Sequence, residues 1–364
     1  MPLAMPKQRL KWVRNRPWIS RQPCLLSTRS RPFSSRRMMN ITRQQGWTST
    51  RASGTVSNHL SLSLYLGAGT KQRPTAFYDA IDGSYCTYSA FGETGDCTTP
   101  DCNDPSYPDP NGYGGQRMCG VYKPTNVISI SYGGAEIALP AYYTERQCNE
   151  IMKLGLQGTT VVISSGDYGI GGSGNGGDAC LGGGDGRSIF NPQSDATCPY
   201  VLSVGSTEFD DYTTPGAPAC KLNEVSTTAF ASGGGFSNYF PTPDYQVDAV
   251  NAYFASVDLG FDGYDNYTGN FSDIPTGIFN RNGRGYPDVS AIGDRFIIVY
   301  GGSLYTIGGT SLSAPVWASV ITRINEERLA VNKSTVGFIN PTLVSAELFG
   351  IPLARLSRLT YSSP

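Results

Sequence analysis

Apolar residues in this chain cluster in short blocks, separated by glycine-rich and polar stretches. Val127-Ile128-Ser129-Ile130-Ser131-Tyr132-Gly133 is β-rich and stops at glycine, which predicts a strand. From Pro140 to Gly158, Cys148, Ile151, Met152 and Leu156 recur at near-helical spacing, and Pro140 suits the first helical position. The run Thr160-Val161-Val162-Ile163-Ser164 is continuously apolar and ends in Ser165-Gly166-Asp167. Strand, helix and strand in close succession predict a βαβ unit, so the sheet is parallel and covered on both faces. Tyr200-Val201-Leu202-Ser203-Val204-Gly205 predicts another buried strand. The fold class is therefore α/β, a mainly parallel β-sheet with helices on both faces. Further on, Arg284 to Ala291 leads to Phe296-Ile297-Ile298-Val299-Tyr300, predicted as the final strand, and then to a helix-like run, Val316 to Ile321.

The chemistry concentrates between that last strand and that helix. Ile307-Gly308-Gly309-Thr310-Ser311-Leu312-Ser313-Ala314-Pro315 presents a serine among small residues at a helix start. Small neighbours let a substrate carbonyl approach, and the helix N-terminus offers free N–H groups and a positive dipole end. Ser311 is thus a candidate nucleophile; an ordinary loop with a capping serine is the plain structural alternative. Asp167 ends a predicted parallel strand at its carboxyl end, where α/β proteins place their sites. The chain has one histidine, His59, in an unusual N-terminal region. Serine hydrolases normally pass the serine proton to histidine. Without it the base would be a carboxylate, which titrates near ~4.3 against ~6.5 for imidazole and so still works in acid.

Charge and cysteine alter this picture by dividing the chain. The overall net charge of −1 hides residues 1–78, which hold no Asp or Glu and 14 of the 28 Lys and Arg residues. The remainder carries 14 basic against 29 acidic residues, a net of −15, which disfavours nucleic acid and suits solubility at low pH. No apolar run approaches the ~20 residues of a membrane-spanning helix. The Gly-rich segment 168–199 lacks a GK[ST] step, which argues against a phosphate loop. Ser232-Gly233-Gly234-Gly235-Phe236-Ser237 predicts a mobile, backbone-exposing loop. Eight cysteines lie beyond the leader, at 86, 97, 102, 119, 148, 180, 198 and 220. Their even number suggests disulfides of unassigned pairing and a secretory compartment. A zinc site is disfavoured, because no CxxC occurs and no histidine is near. Asn266, Asn270 and Asn332 each begin an N-x-Ser/Thr sequon.

Residues 1–75 are an atypical basic leader, disordered or the product of a wrongly predicted exon. Their Arg- and Ser-rich, acid-free composition also matches a mitochondrial transit peptide, and no secretory signal is visible. Phe77 to Gly120 is Cys-rich and loop-like, and its prolines fit no calcium-loop pattern. Residues 344–364 form an atypical tail.

Residues 76–343 resemble the sedolisins, serine-carboxyl peptidases with a subtilisin-like fold, and are most similar to the secreted fungal tripeptidyl-peptidase-like members. The resemblance rests on Ser129 to Gly133, Ser164 to Gly169, Ser232 to Ser237, and Gly308-Gly309-Thr310-Ser311 with Pro315. It implies Ser311 as nucleophile and Asp167 as the aspartate on the oxyanion side, where a protonated carboxyl can donate a hydrogen bond. Ser313 is then expected to be structural. The resemblance also implies peptide or protein substrates, an extracellular monomer, and a Glu-x-x-x-Asp base pair. That pair is missing: no Glu precedes Glu93, and none is followed by Asp four residues on. The family would imply Ca²⁺, but no Asp follows Asp294, so no cofactor or metal ligand is predicted. The expected function is acid-active peptide-bond hydrolysis through an acyl-enzyme, impaired in this chain; the alternative is a non-catalytic peptide-binding protein.

Overall fold

A computed structural model describes residues 63–64, 74–82, 120, 122–171, 181–182, 188–210, 223–265, 273–274 and 276–344. Most of the basic leader, the Cys-rich segment from 83 to 119, the glycines at 172–177, Asn266, Asn270 and the 345–364 tail lie outside the described residues.

The centre is a parallel sheet of β1 (Ser63–Leu64), β2 (Val127–Ile130), β3 (Thr160–Ser164), β6 (Leu202–Phe209) and β12 (Val289–Ile292), in that spatial order. A short β7 (Glu224–Ser226) adds to β6 antiparallel, Thr207 facing Ser226. The registers are Val127 opposite Thr160, Val162 opposite Leu202, and Val289 opposite Val204. These strands are apolar on both sides because both sides are covered. On one face Ile128, Ile130, Val161 and Ile163 pack with Cys148, Ile151 and Leu154 of α2 (Ala141–Leu156). On the other, Val127, Val162, Leu202, Val204 and Val289 pack with Ala314, Ala318 and Ile321 of α4 (Thr310–Ala330). Full burial of each such Val, Ile or Leu is worth roughly 1.5–3 kcal/mol. A disulfide, Cys148–Cys198, ties α2 to the turn before β6 across a separation of 50 residues.

Four smaller pairs and three helices complete the described elements. The pairs are β4 (Leu181–Gly182) with β5 (Ser188–Ile189), β8 (Gly235–Pro241) with β11 (Gly283–Tyr286), β9 (Gly263–Tyr264) with β10 (Phe279–Asn280), and β13 (Phe296–Tyr300) with β14 (Ser303–Ile307). The helices are α1 (Pro74–Ile81), α3 (Val247–Ser256) and α5 (Asn340–Val344). Phe236 of β8, Phe279 of β10 and Tyr253 of α3 form a further aromatic cluster.

Three sequence expectations need correction. Phe296–Tyr300 is not the last strand of the sheet; among the described residues it pairs only with β14, in a hairpin where Ile297 is 65% and Leu304 73% exposed. The final sheet strand is Val289–Ile292, whose half-polar Val-Ser-Ala-Ile pattern is a weaker sequence signal. In α2 the buried stripe is Cys148, Ile151 and Leu154, whereas Leu156 is exposed at the helix end. Gly233 to Ser237 is not a mobile loop. Gly233, Gly235, Phe236 and Ser237 are buried, and β8 starts within the motif.

Candidate active site

The carboxyl ends of β2 and β3 meet the N-terminus of α4, and this junction brings together residues far apart in sequence. Gly309, the residue before α4, has φ 126° and no side chain to cap the helix. Asp167, just past β3, caps it instead: its Oδ1 accepts the Thr310 N–H at 2.7 Å and the Thr310 hydroxyl at 2.8 Å. The Thr310 hydroxyl oxygen also accepts the Gly166 N–H at 3.0 Å. One threonine therefore fixes both the backbone and the carboxylate at the end of β3. A Cβ on Gly309 would stand 3.0 Å from Asp167 Oδ2, on top of a φ that L-residues rarely adopt, so glycine is required there.

Ser311 is exposed, one residue into the helix. Its carbonyl would ordinarily accept the N–H of residue 315, but Pro315 has none. The Ser131 hydroxyl, just past β2, donates to that carbonyl at 2.9 Å instead. The spacing Ser311-x-x-x-Pro315 thus frees a carbonyl that anchors the nucleophile turn to the sheet. Ser313 points the other way and donates to Ala291 O at 3.0 Å, while Trp317 Nε1 donates to Ser290 O at 2.8 Å. Both bonds hold α4 against β12. The Gly309 N–H donates to Gly293 O at 2.8 Å and completes the seam.

Behind Asp167 the Ser232 to Ser237 segment packs at backbone contact. The Gly233 N–H donates to Gly166 O at 2.6 Å, and a Cβ on Gly233 would lie 2.0 Å from Ser165 O. The Ser232 hydroxyl accepts the Ser206 N–H at 2.9 Å. Gln193 is a buried residue that the sequence reading missed. Its side chain runs between Gly133 and Gly166, where added Cβ atoms would come within 2.4 and 2.2 Å of its amide. Its Nε2 donates to Ser164 O at 2.9 Å. Thr310 was also missed, although its place beside Ser311 in Gly-Thr-Ser was a usable signal.

Glu136, in the turn that follows β2, is fully buried beneath this region. It accepts the Asn238 N–H at 2.7 Å and the Ser237 hydroxyl, and lies 2.9 Å from the Thr197 hydroxyl. Burial outweighs these bonds and raises its pKa from 4.5 to about 7. Burial raises Asp195, in the neighbouring turn, from 3.8 to about 7.

Among the described residues no group of three or more His, Cys, Asp or Glu side chains converges as a metal cage. Among the same residues no helix is long and apolar enough to cross a membrane.

A parallel α/β sheet with a serine at a helix start beside a strand-end aspartate places the chain in the class of serine-type peptidases built on α/β sheets. Comparison with known proteins narrows this. The chain is 48% identical over 274 residues to aorsin of Aspergillus oryzae, covering 73% of this chain and 40% of aorsin. It is 50% identical over 273 residues to tripeptidyl-peptidase sed1 of Aspergillus fumigatus, covering 73% of this chain and 39% of that protein. Among solved structures, Pseudomonas sedolisin complexed with pseudo-iodotyrostatin aligns at 24% identity with a TM-score of 0.41, over 61% of this chain and 52% of that one. No protein-family model matches. The chain belongs to the sedolisin family of serine-type peptidases. It spans about two fifths of the length of the curated relatives it matches.

Proposed function

We propose that this chain carries the nucleophile half of an acid-active, tripeptidyl-peptidase-like site, with Ser311 as nucleophile and Asp167 as the oxyanion-side acid. The observation that carries this reading is the pair of hydrogen bonds from Thr310 to Asp167, which hold the carboxyl beside the Ser311 turn across 143 residues of sequence. In the proposed step Ser311 Oγ adds to a peptide carbonyl carbon and its proton leaves to a base. The carbonyl π electrons move to oxygen, which accepts a hydrogen bond from protonated Asp167. Oδ1 is occupied by Thr310, so Oδ2 is the oxygen available to donate. Peptides or proteins are the substrate class, and the relatives' tripeptidyl-peptidase names support release of tripeptides. An extracellular setting is supported by the Cys148–Cys198 disulfide.

A second reading follows from one sequence fact: no Glu is followed by Asp four residues on. General-base help is worth ~10²–10⁴-fold, so turnover by this chain is expected to be weak, and a peptide-binding role without cleavage is the alternative. The test is peptide hydrolysis at pH 3–5 by the full chain, Ser311→Ala and Asp167→Asn. Asparagine keeps the cap on Thr310 through its carbonyl oxygen and offers an amide N–H to the oxyanion at any pH. Turnover lost in Ser311→Ala, and retained in Asp167→Asn with a weaker dependence on pH, supports the nucleophile–acid pair. Peptide binding retained in Ser311→Ala, with no turnover in any chain, supports the binding role. Turnover unchanged in Ser311→Ala removes both assignments.

A further inference from the structure

We propose that Asn332 is an N-glycosylation site and that its glycan covers the apolar C-terminal end of α4. The proposal rests on the secretory part of the functional reading and on nothing in its chemistry. Asn332-Lys333-Ser334 is an acceptor sequon with no proline at its centre. It forms the tip of the turn that ends α4. The N–H groups of Val331 and Lys333 donate to Arg328 O at 3.2 and 2.9 Å, and that of Asn332 to Leu329 O at 3.1 Å. Asn332 adopts φ 57°, a left-handed conformation that asparagine tolerates better than most residues. Residues 331 to 334 are all exposed, and the Asn332 amide has no hydrogen-bond partner among the described residues. The turn is held from both sides without that amide. Arg328 Nε donates to Ser334 O at 2.7 Å, and Asn325 Oδ1 accepts the Val336 N–H at 2.9 Å. A branched sugar on Asn332 therefore displaces no packed atom and breaks no bond of the fold.

The surroundings give such a glycan a role. Val331 is 62% and Leu329 42% exposed at the C-terminal end of α4. Apolar side chains left open to solvent favour association, and a sugar rooted in the same turn screens them. In the transfer the Asn332 amide nitrogen bonds to C1 of an oligosaccharide carried on a lipid pyrophosphate. The C1–O bond breaks, the lipid pyrophosphate leaves with its electron pair, and the amide nitrogen loses one proton.

The test expresses the full chain behind a cleavable secretory signal in yeast and reads total cell extract and medium, so that a chain retained inside is still scored. Asn40→Gln, Asn266→Gln and Asn270→Gln together leave Asn332 as the remaining sequon. The expected result is one glycan per chain, removed by endoglycosidase, with the modified peptide mapped to Asn332, and its loss when Ser334→Ala is added. That substitution keeps the Ser334 carbonyl that Arg328 binds, so the turn itself is preserved. The screening role predicts that the Ser334→Ala chain binds more of an apolar dye and elutes earlier in gel filtration. An unmodified Asn332 in the triple variant overturns the site, and unchanged dye binding and elution overturn the screening role. The state of Cys148 and Cys198 separates the two levels. A signal-bearing chain that is glycosylated at Asn332 but leaves both thiols free keeps the site and rejects the secretory reading.

Discussion

Glu136 makes the stability of this fold depend on pH in a direction opposite to that of most salt-bridged proteins. The Ser237 hydroxyl oxygen already accepts the N–H groups of Tyr239 at 3.1 Å and Phe240 at 2.9 Å, so its single hydrogen goes to Glu136. The Thr197 hydroxyl has one hydrogen and two acceptor neighbours, Ser194 O at 2.6 Å and Glu136 Oε1 at 2.9 Å. If that hydrogen goes to Ser194, the contact with Glu136 is filled by a carboxyl proton, which agrees with a pKa pushed from 4.5 to about 7 by burial. The sign follows from linkage. A carboxyl with a raised folded pKa gives its full stability below the unfolded value and loses it as pH rises to the folded value. From 4.5 to about 7 the loss is about 3 kcal/mol for Glu136 alone. Urea unfolding at pH 4 and pH 8 measures it, comparing the protein with Glu136→Gln. The glutamine variant is lower at both pH values, because one amide cannot accept from both the Asn238 N–H and the Ser237 hydroxyl and also match Thr197. Its decline between the two pH values should nonetheless be smaller by about 3 kcal/mol. An equal decline in both proteins, or a stability that rises with pH through Glu136, would refute the argument.

Asp195 should behave likewise, since burial raises it from 3.8 to about 7; Asp195→Asn should flatten the same pH window in urea titrations. Thr310→Val removes the hydroxyl that accepts from Gly166 and donates to Asp167. A hydrogen bond between neutral groups is worth about 0.5–1.5 kcal/mol, so binding of a peptide aldehyde, which forms a hemiacetal with Ser311, should weaken by roughly 2- to 10-fold. Thr310→Ser should restore it, whereas a variant that merely unfolds would not be rescued. Ser131→Ala should weaken the same aldehyde's binding with little loss of global stability, because only the tie to the Ser311 carbonyl is removed. Reducing Cys148–Cys198 under native conditions should cost about 4 kcal/mol by the chain-entropy relation for a loop of this length, read as a lower urea midpoint with dithiothreitol. Asp288→Asn should cost about 3–5 kcal/mol, because it leaves the fully buried Arg284 guanidinium without its charged partner.

Much of the scaffold was legible in one dimension. Val127–Ile130, Thr160–Ser164 and the start of Leu202–Phe209 combine Val, Ile and Leu with only small Ser, Thr and Gly, a composition that suits a strand covered on both faces. The helix between the first two made the parallel arrangement unavoidable, since parallel strands need a crossover. Phe296–Tyr300 misled for the same reason in reverse: its composition suits a buried strand, but its only partner among the described residues is the hairpin strand beside it. Composition records what a residue prefers to bury and does not record whether a neighbour arrives to bury it.

The sequence by itself determined the parallel α/β core, the serine at a helix start, the aspartate at a strand end, and a histidine count of one. Only the tertiary structure decided how these meet. The hydrogen bonds that join Asp167 to Thr310, Ser131 to Ser311, and Glu136 to Ser237 span 143, 180 and 101 residues. No local periodicity reaches across such separations. The first two pairs are chosen by the stacking of α4 over the carboxyl ends of β2 and β3, and the third by the packing of β8 against the turn after β2.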